Sequence, residues 1–475
     1  MAEKPTLLTV YRYLPQTNCG ECGEATCMAF ASKLLDRAAK VEDCPPLVKD
    51  PKLKGRREKL ADLVAPPVRE VIVGSEKNAV KIGGKEVLYR HELTFHNPTA
   101  LAMDLSDKLE DQAVLERCKS IEAFKIEKMG QKLGLDLIAI RCASGDPGRF
   151  AKVASLVTAN TRLPLMLCSL DPEAVRSAME ASKDNRPLLY AATAENWRDM
   201  GALAKRFNCP LVASAPGDLS LLKSLALTLR QMGVQDLVLD PGTGTEGKAL
   251  METISNLTMI RRAGVKLRDK AVGFPLMAVP AVAYLNGQNP VTAAFKEAYL
   301  ASMFINRYAD LLVLHSLETW SLMPILNLRF NVYTDPRKPV AVQAELKTIG
   351  EPDENSPGLV TTNFALTAYT VSGDLEASKV SCYLLIADSE GLAVDTAVAG
   401  GQLTAAKIKE VLAASGVEGK VKHRRLILPG RAARLRGDVE DATGWEVIVG
   451  PKDSSQIADF LKKNWSVPTA SDAAA

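Results

Sequence analysis

Short apolar runs recur along the middle of the chain, separated by longer stretches with helical spacing. The runs are HELTFH (His91–His96), LDLIAIR (Leu135–Arg141), LPLMLC (Leu163–Cys168), PLLYA (Pro187–Ala191), PLVA (Pro210–Ala213), DLVLD (Asp236–Asp240), AVGF (Ala271–Phe274) and DLLVL (Asp310–Leu314). They lack the strict alternation of a half-exposed strand, as expected where both faces are covered. Between them Phe150–Ala159, Pro172–Ser182, Asn196–Arg206, Leu219–Met232 and Lys248–Ala263 carry the apolar spacing of amphipathic helices. Eight strand–helix units over about 230 residues predict a TIM (β/α)8 barrel at 91–325.

The flanks follow other patterns. An apolar helix starts at Met28 and reaches Leu35. The basic, proline-containing stretch Lys49–Arg57 reads as a linker or solvated surface. Val71–Val73 and Glu86–Tyr89 read as a small hairpin about Gly83-Gly84. Beyond the barrel a proline-rich connection runs from Asp335 to Pro357. Strands are then expected at Leu359–Thr362, Phe364–Ser372, Val380–Ala387, Arg425–Leu428 and Glu446–Val449. Helices are expected at Thr404–Ala413, Arg431–Glu440 and Ser454–Lys463. This is the pattern of a doubly wound, Rossmann-like α/β domain, whose ligands bind outside the carboxyl ends of the strands. The whole chain is thus of α/β class. The expected parts are a cluster domain at 1–58, a linker and hairpin at 59–90, the barrel at 91–325 and a linker at 326–358. An α/β domain at 359–466 follows, with a disordered tail at 467–475.

Composition narrows the function. The chain has 475 residues, and 59 Lys+Arg against 56 Asp+Glu leave a net charge of +3. A nucleic-acid binder usually carries a larger basic surplus. No apolar run reaches the ~18 residues of a membrane span. The N-terminus lacks a basic region followed by a long apolar one, so it does not read as a signal peptide. The expected location is the cytoplasm, where cysteines seldom pair as disulfides. That makes the positions of the nine cysteines informative.

Four of them, Cys19, Cys22, Cys27 and Cys44, lie at C-x2-C-x4-C-x16-C spacing. Four thiolates suit a tetrahedral zinc or a cubane iron–sulfur cluster. A zinc ribbon presents two C-x2-C pairs, and here the second is missing. Gly20 and Gly23 free the backbone to wrap a bulky inorganic core, and Pro45 follows the remote Cys44. The favoured reading is a 4Fe–4S cluster with an electron-transfer role. Zinc ligation, or plain burial of small thiols, are the alternatives.

The barrel's C-terminal face is where chemistry sits in this fold. Its expected loops hold Asn97, Ser144, Asp146, Ser169, Asp171, Thr193, Glu195, Ser214 and Asp240. Most such residues cap the following helix. The loop GTGTEGK (Gly242–Lys248) satisfies G-x-G-x-x-G and nearly satisfies the P-loop pattern. Ala249, however, stands where Mg²⁺ needs a hydroxyl, and Arg261-Arg262 stand where a ribose-binding acid belongs. It reads as a glycine-rich barrel loop.

The segment CGECGEATCMAFA resembles that of the large (gamma) subunit of the corrinoid/iron–sulfur protein of the acetyl-CoA pathway, part of the acetyl-CoA decarbonylase/synthase complex. So do LVTTNFALTAYTVSGDLEAS, ADSEGLAVDTAVAGGQ and LPGRAARLRGDVEDATGWEVIVGPKDSSQIADFLKK, which look like that subunit's cobalamin-binding domain. The resemblance covers nearly the whole chain and implies a corrinoid methyl carrier. In such a carrier Co(I) takes a methyl group from a methyl-tetrahydropterin through a methyltransferase and passes it to acetyl-CoA synthase. The cluster reduces Co(II) that forms by oxidation. The corrinoid is then expected against Thr362, Thr367, Gly391, Leu392, Ala393, Val394 and Thr396, and the turn Asp453, Ser454, Ser455 and Gln456. The implied partners are a smaller barrel subunit in a heterodimer, the methyltransferase, the synthase and a reductive activator; no nucleic acid or membrane is implied. No D-x-H-x-x-G motif occurs, and His423 lacks its context. We therefore expect a base-off corrinoid without a protein His ligand, which favours Co(I). A barrel enzyme acting on its own substrate, with the cluster as electron donor, is the alternative function. A zinc-binding scaffold is a third.

Overall fold

The computed structural model describes residues 5–75, 78–129, 131–182, 186–285, 287, 289–335 and 339–465. The expected tail at 467–475 lies outside them. The chain forms two compact units: Met1–Lys125 with Gly134–Tyr333, and Ile126–Leu133 with Thr334–Ala475.

The first unit is built on a parallel (β/α)8 barrel. Its strands are Ala100–Ser106, Leu137–Arg141, Leu165–Cys168, Leu188–Ala192, Leu211–Ser214, Leu237–Asp240, Met277–Ala278 and Leu311–Leu314. Seven consecutive neighbours pair in parallel. A parallel bridge between Leu239 and Leu276, with Leu239 N donating to Pro275 O (2.8 Å), joins the sixth strand to the seventh. Ala102, Leu137, Ala139, Met166, Val212 and Met277 fill the interior. An antiparallel hairpin, Glu70–Val73 and Val80–Gly83, adds Val71, Val73 and Ile82 to that core. Its backbone bonds to Arg186 and Gly273, which precede strands, place it at the barrel's N-terminal end.

Several sequence expectations are corrected here. The first strand is Ala100–Ser106, not His91–His96. The earlier run is broken by turns, because Lys85 Nζ draws in the carbonyls of His96 (2.7 Å) and Asn97 (2.8 Å). Asn97 therefore lies before the first strand, away from the C-terminal face. AVGF is a turn organised by Asp269, and the seventh strand is the short Met277–Ala278. The hairpin's second strand is Val80–Gly83 rather than Glu86–Tyr89. The end of the basic stretch, residues 54–57, opens the helix Lys54–Val64, which buries Leu60 in the cysteine-bearing core.

The second unit carries a five-stranded sheet in the order Leu346–Ile349, Cys382–Ala387, Gly358–Thr362, Arg425–Leu428, Glu446–Val449. The first of these is an antiparallel edge strand that the sequence pattern missed; the rest are parallel. Phe364–Ser372, expected as a strand, lies in and just before the helix Ala365–Ala377. Its period-two appearance hides Ala365, Ala368, Ser372 and Leu375, which share one buried helical face. Separate apolar cores cover the two faces of the sheet.

Candidate functional site

Local structure gathers the N-terminal cysteines. Gly23 N donates to Gly20 O (3.0 Å), making a tight turn between Cys19 and Cys27. Thr26 caps the helix Cys27–Leu35, and Asn18 Oδ1 accepts from Cys27 N (2.8 Å), tying the turn to the helix start. Cys44 precedes the short helix Pro45–Lys49. Cys27 and Cys44 are buried in a small core with Phe30, Leu34 and Leu47; Cys22 is half-buried and Cys19 exposed. Burial pushes the Cys44 thiol up, against a lowering by the Leu47 N–H, and Cys22, Cys27 and Cys19 raise it further. The other three cysteines thus lie near enough to Cys44 to bear on its charge. Among the described residues no three His, Cys, Asp or Glu side chains form a site for a single metal ion. The donor set is four soft thiolates, the chemistry of iron–sulfur and zinc centres.

The second unit opens a cavity of about 670 Å³ at the carboxyl ends of its parallel strands. The strands Gly358–Thr362 and Arg425–Leu428 pair only at Gly358 and Leu359, so they part beyond that point. This is also where the strand order reverses direction, the usual ligand crevice of open α/β sheets. Of the expected residues, Thr367, Ala393, Val394, Asp453 and Ser454 line the cavity. Thr362, Gly391, Leu392, Thr396, Ser455 and Gln456 are not on its wall. Thr361 is, and its Oγ1 is buried without a hydrogen-bond partner among the described residues. A large ligand with acceptor groups fits such an orphaned donor. The rim adds an Arg431–Asp395 ion pair (2.8 Å) and the exposed apolar Leu366.

Asn363 shapes one side of this mouth, and nothing in the sequence pattern singled it out. Its Oδ1 accepts from Ser389 N (3.0 Å), Ser389 Oγ (2.9 Å) and Gly391 N (3.0 Å). The Asp388–Gly391 loop is thereby fixed ahead of the helix Val394–Gly400. On the other side Asp453 Oδ1 accepts from Ser455 N (3.1 Å) and Oγ (2.9 Å), which spends the Ser455 hydroxyl on its own turn. His423 is held by structure: Nε2 donates to Ser356 O (3.0 Å) and Nδ1 accepts from Arg425 N (3.3 Å).

Comparison with known proteins places this pair of features. A family model described as "CO dehydrogenase/acetyl-CoA synthase delta subunit" matches residues 70–461, and one described as "Putative Fe-S cluster" matches residues 14–46. The acetyl-CoA decarbonylase/synthase complex subunit gamma 2 of Methanosarcina thermophila is 48% identical over 461 residues, covering 96% of this chain and 98% of that one. The chain belongs to the gamma-subunit family of the acetyl-CoA decarbonylase/synthase complex. The gamma subunit of Archaeoglobus fulgidus is similar at 47% identity over 462 residues, again covering 96% and 98%. A family member is one subunit of a larger complex, and the four cysteines fall within its iron–sulfur motif. Among solved structures, dihydropteroate synthase from Thermus thermophilus aligns at 18% identity and a TM-score of 0.37, covering 54% of this chain and 97% of that one. No described helix is long and apolar enough to cross a membrane.

In this gamma-family chain the polar loops of the barrel face are mainly caps. Asp146, Asp171 and Asp218 accept from backbone N–H groups at the starts of helices. Ser144 is bound by Asp107, and Ser214 by Asp240. In the GTGTEGK loop, Thr243 Oγ1 accepts from Val279 N and Thr253 Oγ1 accepts from Gly244 N. Those bonds fasten the loop to the barrel, while Lys248 points to solvent beside Glu252.

Proposed function

We propose that the chain is the large subunit of a corrinoid/iron–sulfur methyl carrier. The observation that carries this reading is an open strand-end cavity with an orphaned threonine hydroxyl, in a chain of this family whose four N-terminal cysteines fall within an iron–sulfur motif. The corrinoid supplies cobalt chemistry that accepts a methyl group from a methyl-tetrahydropterin by way of a methyltransferase and yields it to acetyl-CoA synthase. Cys19, Cys22, Cys27 and Cys44 would hold a 4Fe–4S cluster that serves reductive reactivation.

The chain's own part is binding and exclusion. Thr361 and Thr367, with the Ala393–Val394 helix start and the Asp453–Ser454 turn, would hold the corrinoid. No histidine lines the cavity among the described residues, and both ring nitrogens of His423 are engaged elsewhere. A cobalt held there would draw no donor from a histidine of this chain, which would favour reduction by a low-potential cluster. The cavity is open, so the remaining face needs a cover, which we assign to the smaller barrel subunit. The exposed Cys19 side is the side from which a reductive activator reaches the cluster.

The absorption spectrum of protein purified without oxygen tests this. Corrin bands on a broad iron–sulfur shoulder are expected; a colourless protein overturns the proposal. Cys44→Ala should remove the iron–sulfur signal and reductive reactivation while corrinoid stays bound. Loss of both together would refute separate sites.

A further inference from the structure

The basic stretch beside the cysteines serves neither proposed metal centre. Between Lys49 and Lys59 six basic side chains stand against two acidic ones and leave +4, more than the +3 of the whole chain. Lys49, Lys52, Lys54, Arg56 and Lys59 are exposed, and Arg57 is half-buried. None of the six forms an ion pair among the described residues, whereas Lys33 holds Glu24 and Lys270 holds Asp62 in the same unit.

Their placement works against the fold. Lys54, Arg56 and Arg57 occupy the first turn of the helix Lys54–Val64, which has no acidic residue there and no side-chain cap. A helix start is the positive end of the dipole and favours acids. Lys54 and Arg57, and Arg56 and Lys59, also stand three positions apart, where like charges are neighbours and repel. Helix stability therefore does not account for these residues, and together they concentrate positive potential at one spot. That spot borders an open hollow of about 380 Å³. Pro15 and Thr17, which lead into Cys19, line it with Leu53 and with Pro46, two residues past Cys44; Lys49 and Arg56 add their charge. Arg56 is held in place, with Nη2 donating to Arg12 O (2.6 Å). Asp50 also lines the hollow, but its Oδ1 is taken by Lys52 N (2.9 Å).

We infer that this surface docks the acidic face of a partner protein against the cysteine-bearing module. The exposed positions of the helix, 54, 55, 56, 58, 59 and 62, carry no large apolar side chain. Charge, rather than burial, then supplies the attraction, which suits a partner that arrives quickly and leaves again. The same lack of apolar positions gives the helix no face for adsorption to a membrane. Among the described residues no aromatic side chain lines the hollow, so a nucleic-acid base finds no ring to stack on. The inference uses charge and place alone. It holds whatever metal the cysteines take and stands apart from the methyl-carrier reading.

The test uses the full chain purified without oxygen, with flavodoxin as a small acidic protein and cytochrome c as a small basic one. Affinity is read by calorimetric titration at about 20 mM and about 300 mM salt, where screening differs strongly. Flavodoxin should bind at the lower salt and about tenfold or more weakly at the higher, and cytochrome c should not bind. Combining Lys52→Glu, Lys54→Glu and Lys59→Glu should weaken flavodoxin binding about tenfold or more at the lower salt. Combining Lys119→Glu, Lys205→Glu and Lys409→Glu makes the same change of net charge at exposed positions on other helices, and should leave it within about threefold. Thermal melts followed by circular dichroism should show the first variant at least as stable as wild type, because acids suit a helix start. A lower melting temperature accompanied by lost binding would mark the charges as structural and overturn the inference. So would the absence of flavodoxin binding at low salt, insensitivity to salt, or an equal loss in both triple variants. Tighter binding of a single-stranded oligonucleotide or of phosphatidylserine vesicles than of flavodoxin would assign the surface elsewhere and overturn it as well.

Discussion

Thr361→Val separates what the C-terminal cavity needs from what the fold needs. Thr361 is only 2% exposed, and its Oγ1 has no hydrogen-bond partner among the described residues. A buried hydroxyl left unpaired costs about 1–3 kcal/mol. Valine keeps the branched shape and removes the hydroxyl, so the corrinoid-free protein should gain roughly 1–2 kcal/mol. For a unit of this size that raises Tm by roughly 2–8 °C. If the hydroxyl is kept for the corrinoid, the same change removes one hydrogen bond worth about 0.5–1.5 kcal/mol, or roughly 2- to 13-fold in Kd. Thr362→Val is the internal control. It is the next residue of the strand and points to the opposite face; it is fully buried, equally unpartnered, and off the cavity wall. It should stabilise without weakening the corrinoid. Scanning calorimetry of corrinoid-free protein and cobalamin titration followed by absorbance read the two effects. A Thr361→Val protein that binds as tightly as wild type, or a Thr362→Val protein that loses as much affinity, would refute the reasoning.

Two other perturbations test the surroundings. A Cβ on Gly430 would stand 2.7 Å from Gly450 O and 2.8 Å from Lys452 N, backbone atoms that cannot swing aside. Gly430→Ala should cost about 1–3 kcal/mol and displace the loop that walls the cavity. Gly437→Ala, with open space around it inside the helix Arg436–Thr443, should instead gain about 0.5–1 kcal/mol. Equal Tm and cobalamin affinity in the two variants would count against this packing. Lys85 is buried beside Asp310, and burial lowers its pKa to about 7. The folded protein then releases this proton near neutrality, while the unfolded chain holds it to about 10.5. Stability from this group must therefore rise with pH between those values and be lost as pH falls through about 7, with a slope of up to about 1.4 kcal/mol per pH unit. Urea denaturation at pH 7 and pH 9 should show wild type improving relative to Lys85→Met, and a pH-independent difference would reject the shift.

Legibility in the sequence tracked how local each feature is. The iron–sulfur motif was readable because its cysteines lie close in the chain, within residues 14–46, and one of them begins a helix. Six of the eight barrel strands were readable as apolar runs. The first was misplaced because Lys85 captures two carbonyls of the preceding segment, an interaction between residues 11 and 12 positions apart. The seventh was misplaced because a two-residue strand leaves almost no pattern. The helix at Ala365–Ala377 was misread because alternating small and large residues imitate a strand when only one helical face is buried. At the cavity the family resemblance pointed to Thr362, while its neighbour Thr361 lines the wall. One position along a strand exchanges its faces, and a lone sequence does not say which face a ligand will take. A polar cluster at the barrel's C-terminal end was hidden for a different reason. Asp104 meets Arg141 and His315 across 37 and 211 positions, so no spacing rule connects them. What they share is that each stands at or just beyond the interior end of a barrel strand. Aligning the eight strand ends, rather than searching for motifs, is the reading that would bring a carboxylate, a guanidinium and an imidazole together.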